Sequence, residues 1–309
     1  MTQESTSDGV ALYQAYAVCR SIARREAKNF YYAFIALPTQ RRNAISAIYA
    51  FMRKADDLAD DESFSIADRR KHLDAWMGEW RSVCEGAQTS DPVFLAVRDA
   101  TTRFGIPLSL LDELVAGVTM DLDRGDTGSP DTYATFDDLY RYCYLVASVV
   151  GLVCIRIFGY KDARAEKFAE ETGIAFQLTN ILRDVAEDAE RNRVYLPLED
   201  LAAHGVSLDS LLHREAGASP TANEHALLKA IGERAEYYYR SAEALLPFID
   251  PESRPALKVL VSVYHALLKR IERADYDVFS RRASVPLRQK LAILAVGLTR
   301  MGWARIWFA

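Results

Sequence analysis

Cysteine and histidine are scarce in this chain of 309 residues, and neither is arranged as a metal site. The four cysteines form no CxxC pair, and none lies near a histidine at zinc spacing, which excludes a structural zinc site. We expect these cysteines to be buried thiols in a reducing compartment. The five histidines are scattered, and none follows a glutamate at the Glu-x-x-His spacing of di-iron bundles, which excludes that class.

Long apolar runs and basic runs are also missing. The longest apolar stretch, residues 144–155, covers about twelve residues, whereas a membrane-spanning helix needs about 20. The N-terminal sequence MTQESTSDGV is polar and lacks the apolar core of a signal peptide. The net charge is −5 and no basic stripe is present, so nucleic acid is not an expected partner. We expect a cytoplasmic protein, and we leave open peripheral membrane contact and the oligomeric state.

Helical periodicity dominates what is present. Turn residues separate the helical segments, and no alternating stretch is flanked by hairpin turns, so strands should be scarce. The sequence predicts one all-α domain over residues 1–309, with residues 1–10 disordered. The predicted helices are 11–37, 38–60, 67–85, 92–104, 108–121, 136–158, 162–188, 221–246, 252–274 and 286–306.

The first notable cluster is acidic and follows Ala55. Asp56 and Asp60 are four residues apart, as are Asp57 and Asp61, so each pair shares one helix face. Like charges at this spacing repel each other, and local helix physics does not favour them. Taken alone, such a run is typical of a solvated helix end.

A second cluster, about 125 residues further on, changes that interpretation. Asn180, Asp184 and Asp188 are spaced by four, which forms a stripe of oxygen-bearing side chains about 12 Å long. The flanking residues 173–176 are apolar, so the helix is predicted to be buried. Buried carboxylates need partners, and Arg183 alone does not supply enough of them for three acceptor groups.

Oxygen ligands on two rigid helices favour a hard cation, and Mg²⁺ held by carboxylates and substrate phosphates fits best. Several Mg²⁺ ions around one diphosphate would neutralise a leaving group, and an apolar cavity would protect a carbocation from water. A calcium loop over residues 121–132 is excluded, because its glycine falls one place early and Thr132 stands where glutamate is needed.

The sequence resembles the squalene/phytoene synthase family, the head-to-head prenyl-diphosphate condensing enzymes. The resemblance covers residues 15–295 and implies an isoprenoid-synthase-like helical bundle around a central cavity. Among family members, the Phe-Tyr-Tyr-Ala-Phe segment and residues 156–159 are most similar to bacterial hopanoid-pathway presqualene diphosphate synthases. The matching segments, in the family's order, are residues 28–32, 49–57, 142–151, 177–184 and 193–197.

The resemblance implies roles for individual residues. The implied metal ligands are Asp56, Asp60, Asn180, Asp184 and Asp188. The implied substrate-binding residues are Lys28, Asn29, Phe34, Tyr49, Arg53, Gln177, Arg183, Arg193, Tyr195, Tyr264, Arg281 and Lys290.

Some of these residues also have simpler interpretations. Arg53 and Arg183 could pair with neighbouring acids, although their position beside two metal motifs favours phosphate binding. Lys28 lies on an ordinary charged helix face, and Arg193 and Tyr195 could anchor a loop.

The resemblance leaves several products open. In this family a large residue at the position of Phe34 is typical of enzymes that use farnesyl diphosphate, and a small one of enzymes that use geranylgeranyl diphosphate. We therefore expect condensation of two farnesyl diphosphates to presqualene diphosphate, with further conversion to squalene or a derivative left open. The alternatives are a phytoene synthase acting on geranylgeranyl diphosphate and a terpene cyclase acting on one prenyl diphosphate. NADPH is possible but not indicated by the sequence, and a non-catalytic helical interaction protein is the remaining alternative.

Overall fold

A computed structural model of the protein describes residues 4–124, 130–215 and 217–307, with the backbone alone described for 4–8, 28, 29, 121, 124 and 298–307. Within these ranges helices are joined by turns and loops, and the β-structure is limited to two short strands and one isolated bridge between Tyr160 and Ile249, which confirms the predicted all-α class. The longer helices are α1 (Glu4–Glu26), α2 (Lys28–Ile35), α3 (Thr39–Ala59), α4 (Ile66–Cys84), α5 (Pro92–Phe104), α6 (Leu108–Arg124), α7 (Phe136–Cys143), α8 (Val149–Phe158), α9 (Arg164–Glu190), α12 (Ala222–Leu245), α13 (Arg254–Arg273) and α14 (Leu287–Trp307).

Several short elements complete the structure. The two-residue strands β1 (Asp131–Thr132) and β2 (Arg193–Val194) pair in parallel. The stretch between the predicted helices 162–188 and 221–246 contains two short helices, α10 (Leu198–Ala203) and α11 (Leu208–Leu212). A π-helical turn (Tyr144–Ser148) joins α7 to α8, and a 3₁₀ turn (Leu246–Phe248) follows α12.

Helix ends follow local chemistry. Capping boxes start α7, with Thr135 and Asp138, and α12, with Thr221 and Glu224. These polar signals explain why the predicted and observed boundaries agree within a few residues.

The predicted first helix is instead two helices that diverge at Ala27. α1 packs on α3 and α5, whereas α2 packs on α13. Residues 4–10, which fall in the stretch predicted to be disordered, extend α1 ahead of its buried residues Ala15, Tyr16 and Cys19. Residues 1–3 lie outside the described part of the chain.

The centre of the bundle is α9, which packs on α12, on α8 and on the π-helical turn. This packing is close, because a Cβ atom at Gly173 would lie 2.5 Å from the Cα atom of Ser148. One hydrophobic core cluster reaches from Ala15 on α1 to Leu294 on α14. The helices α2, α3, α8, α9 and α13 are therefore held close around the middle of the molecule.

The continuous helical segment Phe136–Phe158 is long and apolar enough to cross a membrane by length and composition, and no other such helix occurs among the described residues. The apolar run at residues 144–155 is only part of this segment, because α7 continues through the π-helical turn into α8. The length of that run alone therefore underestimates the length of the helix. Core helices pass the same test, and this segment packs on α9.

Candidate active site

An apolar cavity lies between α2, α3, α8, α9 and α13. Its volume is about 200 Å³, measured as the space open to the centres of water-sized molecules. Carbon-rich side chains form most of its wall, and the polar side chains of Tyr49, Gln177, Asn180 and Tyr264 also line it. The cavity can therefore hold a long apolar group whose polar part lies near these four residues.

The cavity is elongated along the helices. Its lining on α9 runs from Asn180 to Ala169, which are eleven positions apart and therefore about 16 Å apart along the helix. Its lining on α8 and the π-helical turn runs from Val146 to Phe158. The shape is a channel parallel to α9.

A polar network around Arg41 contacts Phe158 at the far end of the channel. Its guanidinium donates to the Phe158 carbonyl at 2.6 Å, to the Ser253 hydroxyl at 2.6 Å and to the Asp250 carboxylate at 2.7 Å. Gly159 has a φ of 80°, and a Cβ atom there would overlap the Asp250 carboxylate. These contacts fix the position of Phe158, which lines the cavity.

At the other end, α3 supplies the first acidic cluster. Burial raises the pKa of Tyr49 to about 12, and Arg53 and Asp56 are close enough to act on it electrostatically. Arg53 Nη2 lies 2.6 Å from Asp57, whereas the buried Nε of Arg53 has no hydrogen-bond acceptor. The helix ends at Ala59, so Asp60 lies one residue beyond it and is exposed.

The second cluster approaches the same end from α9. Asn180 Nδ2 donates to Gln177 Oε1 at 3.3 Å, and both residues line the cavity. The Oδ1 atom of Asn180 is buried and has no hydrogen-bond donor. An unsatisfied buried acceptor is costly, and it therefore marks a place where a ligand can bind.

Asp184, one helical turn beyond Asn180, is held by two arginines. Arg183 Nε donates to its Oδ1 at 2.7 Å and Arg183 Nη2 to its Oδ2. Arg282 donates to Oδ1 from Nε at 2.9 Å and from Nη2 at 2.7 Å. Burial opposes ionisation of Asp184, but these guanidiniums outweigh burial and lower its pKa.

Asp188 is in a different electrostatic state. Burial, reinforced by the nearby charge of Asp184, raises its pKa to about 7, and Arg193 and Arg191 only partly oppose this shift. The stripe on α9 therefore contains one firmly ionised carboxylate and one that readily takes up a proton near neutral pH.

Aromatic rings surround the channel below these acids. Phe176 stacks on Tyr264 at 4.4 Å between centroids, and Phe34 meets Tyr49 edge-on at 6.1 Å. Burial raises the pKa of Tyr264 to about 12, so its hydroxyl is neutral. The Phe34 side chain also lines the cavity.

Other predicted residues lie away from the channel. Arg193 and Tyr195 line a smaller pocket beside Asp188. Lys290 lies over the ring of Tyr32 at 6.0 Å, and Arg281 is exposed. The predicted residues Lys28 and Asn29 belong to α2, but their side chains lie outside what the structure describes.

Sequence reasoning missed Arg282, whose neighbour Arg281 was predicted to bind substrate. Arg282 contacts Asp184 from 98 positions away in the chain, and also lies 3.1 Å from Glu187. An arginine pair in a loop carries no periodic signal, so only the fold reveals which member faces the acids. Arg41 and Asp250 escaped prediction because they are 209 positions apart in the chain.

The side chains at the polar end fit a hard cation bound together with an anionic ligand. Their donors are carboxylate and amide oxygens, and the Oδ1 of Asn180 is unsatisfied. Within the described part of the chain, no three acidic, histidine or cysteine side chains converge to hold an ion by themselves. A ligand that brings its own oxygens, such as a diphosphate, would have to complete the coordination.

Comparison with known proteins agrees with this arrangement. The squalene/phytoene synthase family matches residues 23–289. Phytoene synthase of Mycobacterium tuberculosis is 37% identical over 287 residues, covering 92% of this chain and 91% of that protein. Phytoene synthase of Arthrospira platensis is 35% identical, with 93% of each chain covered.

Solved structures extend the comparison. A dehydrosqualene synthase in complex with a ligand aligns with a TM-score of 0.80 and 29% identity, covering 94% of this chain and 98% of that one. A squalene synthase from Alicyclobacillus acidocaldarius aligns with a TM-score of 0.77 and 28% identity, covering 87% and 97%. The chain therefore belongs to the squalene/phytoene synthase family, the prenyltransferases that join two prenyl diphosphates head to head.

Proposed function

We propose that this enzyme condenses two molecules of farnesyl diphosphate to presqualene diphosphate. The observation that carries the choice of substrate is Phe34, whose side chain is 6% exposed and lines the channel beside Tyr49. A ring in the wall shortens the space for a prenyl chain, which favours the fifteen-carbon over the twenty-carbon substrate.

The diphosphates would bind at the polar end. Asp56 and Asp60 from α3 and Asn180, Asp184 and Asp188 from α9 would hold Mg²⁺. When bound, Mg²⁺ supplies positive charge that stabilises the diphosphate leaving group.

The arginines at this end complement that charge. The unsatisfied Nε of Arg53 would donate to a diphosphate oxygen, since a guanidinium binds phosphate in a planar, two-point geometry. Arg183, next to Asp184, would have the same role on the α9 side.

The channel would control the reacting carbons. The C1–O bond of one substrate breaks, and its electrons leave with the diphosphate. The C2–C3 double bond of the second substrate attacks C1, and loss of a proton closes the cyclopropane. Apolar lining excludes water, and the stacked rings of Phe176 and Tyr264 offer π-electrons to the developing cation.

Phytoene synthesis is the second candidate, because the relatives from Mycobacterium tuberculosis and Arthrospira platensis are phytoene synthases. The two candidates differ in chain length and not in the polar end. A terpene cyclase would use one substrate molecule, so the product mass distinguishes it from both.

The test is to incubate the enzyme and Mg²⁺ with farnesyl or geranylgeranyl diphosphate, with and without NADPH, and to measure products by mass spectrometry. We expect a thirty-carbon cyclopropyl diphosphate from farnesyl diphosphate without NADPH. A forty-carbon hydrocarbon as the main product would overturn the choice of substrate, and no consumption of either substrate would overturn the enzymatic function.

A matched variant sharpens the test. Phe34→Ala removes a ring from the channel wall and should shift kcat/KM toward geranylgeranyl diphosphate by about tenfold or more, the value of a few methylenes in an apolar pocket. Phe104→Ala, which removes a partly buried ring outside the channel lining, is the control and should not change the preference. An unchanged preference in Phe34→Ala would show that this ring does not select the substrate.

A further inference from the structure

Arg282 lies in the segment between α13 and α14 and bridges two acids of α9. It contacts Asp184 at 2.7 Å and Glu187 at 3.1 Å. Within the described residues, these are its ion-pair partners. The contact spans 98 positions of the sequence, so the segment that carries Arg282 is joined to the acidic stripe by charge.

The Oδ1 atom of Asp184 is fully occupied by this arrangement. It accepts two hydrogen bonds from Arg282 and one from Arg183, whereas Oδ2 accepts one from Arg183. Each oxygen of a carboxylate has about two lone-pair sites. A further ligand therefore has no free site on Oδ1 until one arginine leaves.

The two arginines differ in how easily they can leave. Arg183 is adjacent to Asp184 on α9, and its side chain is only 19% exposed. The side chain of Arg282 is 50% exposed and comes from a loop. Exposed ion pairs contribute little free energy, so Arg282 is the partner that a competing cation displaces.

Resting on the proposed function, we propose that Arg282 occupies the cation position on Asp184 in the substrate-free enzyme and transfers to the diphosphate when substrate and metal bind. A guanidinium released beside a bound diphosphate meets oxygens that it binds strongly in two-point geometry. Arg282 thus weakens binding of Mg²⁺ alone and strengthens binding of the diphosphate with Mg²⁺. The enzyme would assemble its metal site only around substrate.

The proposal can be tested by thermodynamic linkage. If Arg282 opposes binding of Mg²⁺ alone and supports binding of the diphosphate, removing it must change the two affinities in opposite directions. The experiment is isothermal calorimetry of the full-length protein with MgCl₂ alone, and with inorganic pyrophosphate in the presence of Mg²⁺. The variants are Arg282→Gln, Arg282→Lys and the control Arg288→Gln, an exposed residue without an ion pair among the described residues.

We expect Arg282→Gln to bind Mg²⁺ alone about fivefold more tightly, because the variant lacks an ion pair whose loss corresponds to about that factor. It should bind pyrophosphate in the presence of Mg²⁺ about tenfold more weakly, because a charged hydrogen-bond donor is lost. Arg282→Lys keeps the charge but loses the planar two-point geometry, so it should lie between the wild type and Arg282→Gln. Arg288→Gln should match the wild type. Circular dichroism melting checks that each variant is folded.

Two results would overturn the inference. Unchanged Mg²⁺ affinity in Arg282→Gln would show that Arg282 does not compete with the cation. Weaker binding of Mg²⁺ alone would show that Arg282 only supports the site. These outcomes are separate from failure of the proposed function, in which the wild-type enzyme consumes neither prenyl diphosphate.

Discussion

The two acidic helices reach the same end of the channel but hold their charges in opposite ways. The acids of α3 lie at its C-terminal end, and Asp57 and Asp60 are exposed to solvent. The acids of α9 are half-buried: Asp184 lies within the helix and Asp188 lies in its last turn. Water therefore stabilises the charges on α3, whereas arginines and a raised pKa accommodate those on α9.

This difference indicates which acids depend on the surrounding fold for their stability. Carboxylates at a helix C-terminus face the negative end of the helix dipole, which is mildly unfavourable and is screened by water. A half-buried carboxylate instead needs a partner of opposite charge. We therefore expect changes on α9 to affect both stability and catalysis, and changes on α3 to affect mainly catalysis.

The largest effect is expected for Asp184→Asn. Loss of this charge leaves Arg183 partly buried without its counter-ion, so the free energy of unfolding should fall by about 2–3 kcal/mol. Loss of a charged ligand at the leaving group should lower kcat/KM about a thousandfold or more. Urea unfolding and steady-state kinetics measure the two effects, and near-wild-type kinetics would favour a non-catalytic helical protein.

Asp60→Asn should separate activity from stability. The residue is exposed beyond the end of α3, so the free energy of unfolding should change by less than about 0.5 kcal/mol. As a proposed metal ligand, it should lower kcat/KM by about a hundredfold. A loss of stability comparable to that of Asp184→Asn would remove the contrast between the two helices.

The raised pKa of Asp188 predicts that the stability of the protein depends on pH. Its pKa is raised to about 7, so the metal-free folded protein holds a proton there that the unfolded chain has released above about pH 4. The free energy of unfolding therefore falls as the pH rises from about 4 to 7. Asp188→Asn should reduce this fall, and at pH 8 the variant should be more stable than the wild type by about 1 kcal/mol, a value reduced to allow for partial exposure of the side chain.

The same proton opposes a metal ion, so Mg²⁺ should bind more weakly below pH 7 in the wild type. Thermal unfolding from pH 5 to 8 and calorimetry with MgCl₂ check both signs. A Mg²⁺ affinity independent of pH over this range would contradict the assignment of Asp188.

The smallest effect is expected for Asp57→Asn. The 2.6 Å pair between Arg53 and Asp57 joins exposed or half-exposed side chains, so its loss should change stability by less than about 0.5 kcal/mol. Turnover should stay within about threefold, because Arg53 remains free to bind diphosphate. A loss as large as that of Asp60→Asn would make Asp57 a metal ligand in its own right.

Local sequence signals predicted much of this structure. Helical periodicity and polar caps placed most long helices within a few residues, and a spacing of four put Asn180, Asp184 and Asp188 on one face of α9. The spacing also identified the first cluster, although α3 ends at Ala59, before Asp60. These features depend on residues that are close in sequence.

What escaped prediction depends on distant contacts. Arg282 meets Asp184 across 98 positions, and Arg41 meets Asp250 across 209. The π-helical turn over residues 144–148 packs closely against Gly173, a contact that no periodicity reveals. Local patterns carry no information on which distant residues meet, so the network around Arg41 and the arginine that contacts α9 could be identified only from the fold.

The most direct test of the proposed condensation is the stoichiometry of the reaction with farnesyl diphosphate as the only substrate. Substrate consumption and inorganic pyrophosphate release are measured together in the presence of Mg²⁺. Condensation to presqualene diphosphate predicts one pyrophosphate released for every two farnesyl diphosphates consumed, with a thirty-carbon diphosphate as product. Release of one pyrophosphate per substrate molecule with a fifteen-carbon product would contradict it.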